Sequence, residues 1–387
     1  MSGIIASLIT SPDQVQLADS VARFVRERYA HRDWQQIVDG ESGICEERWR
    51  AMAELGWLGL GLPEACGGYG GSLQDALVVI EALGAGLAAE PLASTVLVCG
   101  DLIATAASAE AAQRIVPRIV AGELRLAFAH DEDDDGGDAA EPAHGALRAQ
   151  AAGDGWRLDG EKRRVLDAPH AGALVVSARV SGGRGDADGL ALFLVPVDAP
   201  GVSLKTVRTF DRRRIADVVL RGVALDGQAM IGTQDTALPA IRRALDRRIA
   251  VLAAEASGLA AVAVDTTRDY LSTRLQFGQA LASFQALQHR LVDMYIACEE
   301  IRTAARIAAI ACEAGESAGT LISAAKVKVS RAGQRVGREA IQLHGGMGMT
   351  DEMAIGDCMK RLEAIALLAG GVDGHLDRCA ARGPLIG

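Results

Sequence analysis

The hydrophobic period of this chain changes twice, and those changes limit what it can fold into. Up to about residue 125 apolar residues recur with helical spacing, as in Val21, Phe24 and Val25 behind the N-cap signal Ser11-Pro12-Asp13. From about 126 to 230 the period shortens to alternation. The runs Trp156-Arg157-Leu158, Ala173-Leu174-Val175-Val176-Ser177, 190–195 and Val218-Val219-Leu220 read as strands, separated by Gly155, Gly160, Gly182-Gly183, Gly189, Pro200-Gly201 and Gly227. From about 236 helical spacing returns in long segments, 237–271, 284–315, 318–344 and 351–380, and four such helices suffice for a bundle. The predicted fold is α+β and mainly helical. It has an N-terminal α-helical domain (1–125), a small middle β-barrel or sandwich (126–230) and a C-terminal four-helix bundle (231–387).

Composition narrows the function. At 387 residues the chain can bury cores for two or three domains, and 49% hydrophobic content with 23% charge is ordinary for a globular protein. A net charge of −10 argues against nonspecific nucleic-acid binding. No apolar run is expected to reach the ~18–20 residues of a membrane span. The first residues lack a basic region and a cleavage site, so the expected address is cytoplasmic, with no membrane partner. Seven scattered cysteines without Cys-x-x-Cys or Cys/His spacing read as reduced thiols, with no metal site.

Two motifs carry chemistry. Arg274-Leu275-Gln276-Phe277-Gly278 follows a long helix and is succeeded by Phe284-Gln285. A guanidinium there can fork onto a pyrophosphate, and Gly278 lets backbone approach a ligand. Gln342-Leu343-His344-Gly345-Gly346-Met347-Gly348 closes a helix, and its glycines open the backbone to a phosphate or ribose. Each has a plainer reading, a helix C-cap or a helix–loop–helix turn. His344 is better placed to pack in its turn than to transfer protons.

In this order, and with Glu54-Leu55-Gly56-Trp57-Leu58-Gly59-Leu60 and Gly67-Gly68-Tyr69-Gly70 upstream, the motifs resemble those of acyl-CoA dehydrogenases. The resemblance covers essentially the whole chain and implies FAD at a subunit interface and desaturation of an acyl-CoA thioester. It assigns Arg274, Gln276, Phe277, Phe284 and Gln285 to FAD, and Gln342, Gly345 and Gly346 to its adenosine end.

The same resemblance exposes what is missing. In the family a catalytic glutamate follows the glycine motif, and here the matching position is Ala369, before Gly370-Gly371. Some members place it on an earlier helix before an arginine, where this chain has Arg247-Arg248. Asp246 is one residue off, about 100° around the helix, and Asp373 lies one turn past Ala369. Glu255 and Glu363 read as salt-bridge partners. The flavin-ring contacts, a Thr-Glu-Pro-type loop and a Trp-Ile-Thr-type strand, are also replaced. In their places stand Ala129-His130-Asp131-Glu132-Asp133-Asp134-Asp135, whose acids should repel one another and stay solvated, and Lys162-Arg163-Arg164-Val165-Leu166.

The chain therefore looks like a small, non-catalytic subunit of a heteromeric acyl-CoA dehydrogenase, as in the pimeloyl-CoA and steroid side-chain types. The resemblance implies a paralogous partner in an α2β2 assembly and an electron-transfer flavoprotein as acceptor. A self-sufficient dehydrogenase with a relocated carboxylate base, and a non-redox helical interaction protein, are the alternatives.

Overall fold

A computed structural model describes residues 11–132, 143–315 and 319–381. The chain runs as helices, then a β-sheet, then a helical bundle. The helices ahead of the sheet are α1 (Pro12–Arg28), α2 (His31–Asp39), α3 (Glu46–Glu54), α4 (Leu73–Ala85), a π-helix over Ala93–Gly100, α5 (Asp101–Ala106) and α6 (Ala109–Val120). The N-cap of α1 is built as its sequence implies. Ser11 Oγ accepts from Gln14 N at 3.2 Å, and Gln14 Oε1 accepts from Ser11 N at 3.0 Å, a reciprocal capping box.

The strands are β1 (Leu126–Ala129), β2 (Arg148–Ala152), β3 (Gly155–Leu166), β4 (Ala173–Arg179), β5 (Leu190–Pro196), β6 (Val202–Arg208), β7 (Arg214–Leu225) and β8 (Met230–Ile231). They form one sheet in the order β6-β7-β3-β2-β4-β5-β8, with β1 parallel to β4. Alternate residues such as Leu158, Val176, Phe193, Val218 and Leu220 point into one shared apolar core. After the sheet come α7 (Gln234–Thr273), the two-residue strands β9 (Leu275–Gln276) and β10 (Gln279–Ala280), α8 (Gln285–Ala314), α9 (Gly319–His344), α10 (Ile355–Leu367) and α11 (Val372–Ala381).

Two expectations need correction. The last helical segment, 351–380, is broken into α10 and α11. Ala369 at φ 58° and Gly370 at φ 95° adopt left-handed backbone, which ends a helix. The chain also does contain an apolar stretch of spanning length. A window in α7 has mean hydropathy 1.6, but 72% of that window is buried in the protein, as in a core helix.

The fold divides into two compact units, Met1–Ile37 with Leu77–Ala88 and Ile249–Gly387, and Val38–Ala76 with Ala89–Arg248. In the first, α4 and α7 touch backbone to backbone at two glycines. A Cβ on Gly258 would stand 1.9 Å from Glu81 O, and one on Gly84 2.6 Å from Glu255 O. Close by, Arg361 grips Glu255 through two bonds of 2.7 Å, Nε to Oε1 and Nη2 to Oε2, tying α10 to α7. Trp34 Nε1 donates to Leu87 O at 2.7 Å and anchors α2 to the end of α4.

Because both members of the Arg361–Glu255 pair are largely buried, Glu255→Ala strands a cation and should destabilise the chain by about 3–5 kcal/mol. Urea denaturation would read this as a lower midpoint. Replacing both partners, Glu255→Leu with Arg361→Met, should recover most of the loss, and equal losses in the single and double variants would contradict the assignment.

Candidate functional site

The two motifs sit together in the first unit. Past the end of α7, Arg274 N donates to Tyr270 O at 2.8 Å, and the chain enters the hairpin of β9 and β10, with Gln276 opposite Gln279. Phe277 and Gly278 form its tip at φ 53° and 80°, the geometry of a type I′ turn. A phenylalanine in left-handed backbone is strained, and here its ring is 87% exposed, edge-on to Phe284 at 6.1 Å. Arg274, Gln276 and Gln285 are also exposed. The Arg274 guanidinium makes no hydrogen bond or ion pair with the described residues.

The glycine turn follows α9. Gly345 stands at φ 58°, and a Cβ on Gly345 or Gly346 would meet nothing within 4 Å, so packing inside the chain does not require glycine there. Gly348 differs, since its Cβ would crowd Ile341 O at 2.9 Å. Gln342, Gly345 and Gly346 all face outward.

Between the motifs lies a contact that their sequences do not announce. The ring of Tyr270, one turn before Arg274, stacks on His344 with centroids 4.4 Å apart and planes 25° apart. His344 is buried and donates from Nδ1 to Ala340 O at 2.8 Å, while its Nε2 has no hydrogen-bond partner among the described residues. Burial pushes its pKa down, against the pull of the Ala340 bond, which disfavours the charged ring. His344 thus acts as a packing residue that fixes the hairpin against the turn.

The loop carrying Ala369 belongs to the same unit and is tightly held. Lys326 donates from Nζ to Ile365 O at 2.7 Å, Ala366 O at 3.1 Å and Ser330 Oγ at 3.0 Å, capping α10. His375 Nε2 donates to Ala369 O at 2.8 Å, and its Nδ1 lies 3.2 Å from Ser323 Oγ. What the loop bears is a buried methyl group. Asp373 is exposed on the first turn of α11. Glu363 is occupied by Arg338 at 2.7 Å and Gln334 at 2.8 Å.

In the second unit Arg247 is 4% exposed and lies 3.1 Å from Asp101 Oδ2 through Nε, with Nη1 3.3 Å from Leu97 O on the π-helix. Arg243 grips both oxygens of the same carboxylate, donating from Nε to Oδ2 at 2.7 Å and from Nη2 to Oδ1 at 3.1 Å. The Asp101 carboxylate is thus shared by two guanidiniums. Asp246 is half-buried next to Arg247 on the helix.

The expectation of a solvated acidic run is wrong where it can be followed; residues 133–142 lie outside the described set. Glu132 and Asp131 turn inward because cations await them. Lys162, wholly buried on β3, donates from Nζ to Glu132 Oε1 at 2.6 Å, His130 O at 3.0 Å and Ser177 Oγ at 3.1 Å. Glu132 also accepts from Ala146 N at 2.7 Å and Leu147 N at 3.1 Å. Asp131 Oδ2 accepts from both terminal nitrogens of Arg248 at 3.1 Å, and Asp131 O accepts from Arg163 N at 2.7 Å. His130 stacks on Phe128 and sits 2.9 Å from Ser177 Oγ.

Burial pushes the Glu132 and Asp131 carboxyls up, but Lys162 and Arg248 respectively help to outweigh it and leave both below their ordinary values. Lys162 itself is pushed down by burial, with Glu132 opposing. Burial and then the Lys162 charge lower His130 to about 4. The stretch 129–132 is therefore zipped against β3 around an internal cation. Those residues do not fit the ring of a flavin, whereas the outward-facing hairpin and glycine turn fit the phosphate and adenosine end of a dinucleotide.

Comparison with known proteins agrees with the fold. The profiles described as acyl-CoA dehydrogenase N-terminal, middle and C-terminal domains match residues 11–123, 127–223 and 238–383. The chain belongs to the acyl-CoA dehydrogenase family, whose reaction is FAD-dependent dehydrogenation. It is 29% identical over 367 residues to the acyl-CoA dehydrogenase FadE12 of Mycobacterium tuberculosis, covering 93% of each chain. Among solved structures it is 32% identical to a chain of a variant Tcur3481-Tcur3483 steroid ACAD, covering 95% of this chain and 97% of that one at TM-score 0.84. The ChsE4-ChsE5 complex of Mycobacterium tuberculosis matches at 25% identity and TM-score 0.87, over 97% and 99% of the chains.

His130 yields a pH prediction. Its folded pKa is depressed from 6.5 to about 4, so the unfolded chain binds a proton between those values that the folded chain does not. Stability should fall as pH drops through that window, by about 3 kcal/mol from this group. Urea midpoints at pH 7, 5.5 and 4.5 would show the decline, and His130→Asn should flatten it. An unchanged slope in the variant would assign the acid sensitivity elsewhere.

Proposed function

We propose that this chain is a subunit of a heteromeric FAD-dependent acyl-CoA dehydrogenase, that it completes the FAD site of a paralogous partner, and that it carries no catalytic base of its own. The observation that carries this reading is the contrast between its two half-sites. The hairpin and glycine turn present an exposed, unpaired guanidinium and open backbone, while the β domain is closed around Lys162. When bound, FAD accepts hydride from the β-carbon of an acyl thioester. In this reading Arg274 bridges its pyrophosphate, with Gln276, Phe277, Phe284 and Gln285 beside it. Gln342, Gly345 and Gly346 receive the adenosine end.

The base positions support the same reading. Ala369 offers a methyl, and Arg247 is committed to Asp101. Asp373 is exposed and Asp246 is turned from the position of Arg247, so neither replaces the lost carboxylate. Relatives known as the ChsE4-ChsE5 complex and the Tcur3481-Tcur3483 steroid ACAD support pairing with a second, related chain. An α2β2 assembly, a cytoplasmic address, an electron-transfer flavoprotein as acceptor and domains at 1–125, 126–230 and 231–387 belong to this proposal.

Stoichiometry tests it directly. Purified with its paralogous partner, the assembly should carry one FAD per pair of chains, two per α2β2, by absorbance against protein mass. One FAD on every chain, or flavin and turnover in this chain alone, would overturn the reading in favour of a self-sufficient enzyme.

Arg274 gives the second test. Arg274→Ala removes a charge-assisted contact of about 1.5–3 kcal/mol, roughly tenfold to a hundredfold in FAD affinity. The assembled complex should lose flavin on dilution while its circular dichroism stays unchanged. Undiminished flavin retention would reduce Arg274 to a surface residue.

A further inference from the structure

A dinucleotide that reaches both Arg274 and the glycine turn binds tightly only if the distance between them is fixed beforehand, because ordering two loose half-sites subtracts from affinity. The structure supplies two ties between them. On the way out of the hairpin, Arg290 of α8 pairs with Glu339 of α9 at 2.6 Å. Those side chains are 39% and 30% exposed, and water and salt weaken such a pair. On the way in stands the Tyr270–His344 stack, whose imidazole is buried.

Each ring lies a short step from a group that faces the ligand. Tyr270 comes one turn before Arg274, and its carbonyl accepts from Arg274 N at 2.8 Å. Arg274 O accepts in turn from Leu281 N at 2.9 Å, which closes the base of the hairpin. His344 directly precedes Gly345, and the glycine turn folds back over it, since a Cβ on Gly348 would stand 3.1 Å from His344 Cβ. The bond from Nδ1 to Ala340 O sets the tilt of the imidazole. Its Nε2 has no partner among the described residues, so what the ring adds inside the chain is its flat face. With centroids 4.4 Å apart the rings are in full contact, and a shift of one element must move the other.

We propose that Tyr270 and His344 are positioning residues for FAD. Their stack holds the Arg274 guanidinium at the distance from the glycine turn that one dinucleotide spans. The inference rests on the FAD-site reading given above and adds to it two residues that act through Arg274 and Gly345.

The test is a cycle of variants in the co-purified complex, stripped of flavin and titrated with FAD by fluorescence. Tyr270→Leu keeps an apolar side chain without the flat ring and should weaken FAD about threefold to tenfold, with circular dichroism unchanged. Tyr270→Phe keeps the ring and should stay within about twofold of the unmodified complex. Combined with Arg274→Ala, Tyr270→Leu should add less than about a twofold loss, because no guanidinium remains to be placed. Losses that multiply in the double variant are what a merely structural stack would give, and they would overturn the inference. So would a Tyr270→Phe variant as weak as Tyr270→Leu. Should Tyr270→Leu disturb assembly, His344→Leu runs the same cycle from the other ring. An Arg274→Ala variant that binds FAD normally defeats the functional reading and this inference with it. A full Arg274→Ala effect with none from Tyr270→Leu removes the positioning role alone.

Discussion

A cation placed where water cannot reach it must find all of its partners inside the protein, and the wholly buried ammonium of Lys162 imposes that condition on the β domain. Its three hydrogen bonds fix the backbone of His130, the carboxylate of Glu132 and the hydroxyl of Ser177 at once. Glu132 in turn holds the amides of Ala146 and Leu147, on the far side of the segment 133–142. Withdrawing any one group would strand the others. The same rule governs Arg179, whose guanidinium is satisfied by four carbonyls, those of Ala143, Gly145, Asp186 and Asp188. Polar interactions of this kind add little net stability, but they disfavour alternative arrangements of the residues that make them.

Much of the fold could be read from the sequence because helices announce themselves locally. The Ser11 cap, the long segments behind α7, α8 and α9, and the strands at β3, β4, β5 and β7 all follow from spacing and punctuation within a few residues. Strands β2 and β6 escaped because their residues are mostly exposed, and their small or interrupted apolar positions give little hydrophobic contrast. The break at Ala369 escaped for a different reason. Its left-handed backbone is sustained by Lys326 and His375, which belong to other elements, and spacing cannot show that.

The site was legible in its residue types and illegible in its electrostatics. Arg274 and the glycines were visible as a pattern, but the Tyr270–His344 stack that joins their motifs depends on two helix ends meeting in space. A run of acids reads as solvated because sequence shows the repulsion within the run. It does not show that Lys162 and Arg248 neutralise two of its members from distant elements. Charge clusters can be judged only when the counter-charges are known.

Two strained positions show how different outcomes follow from similar backbone. Phe277 and Ala369 both hold left-handed backbone at a cost that side chains other than glycine seldom pay. At Ala369 the surroundings explain the cost, since capping of α10 and the bond to His375 dictate the loop and its methyl is buried. At Phe277 the two-residue turn between β9 and β10 dictates the conformation, and the ring, edge-on to Phe284, stands almost fully in water. A strained turn that carries an exposed apolar ring presents that ring outward. Its benefit would be realised against another surface, which is where the adjacent, unpaired Arg274 also points.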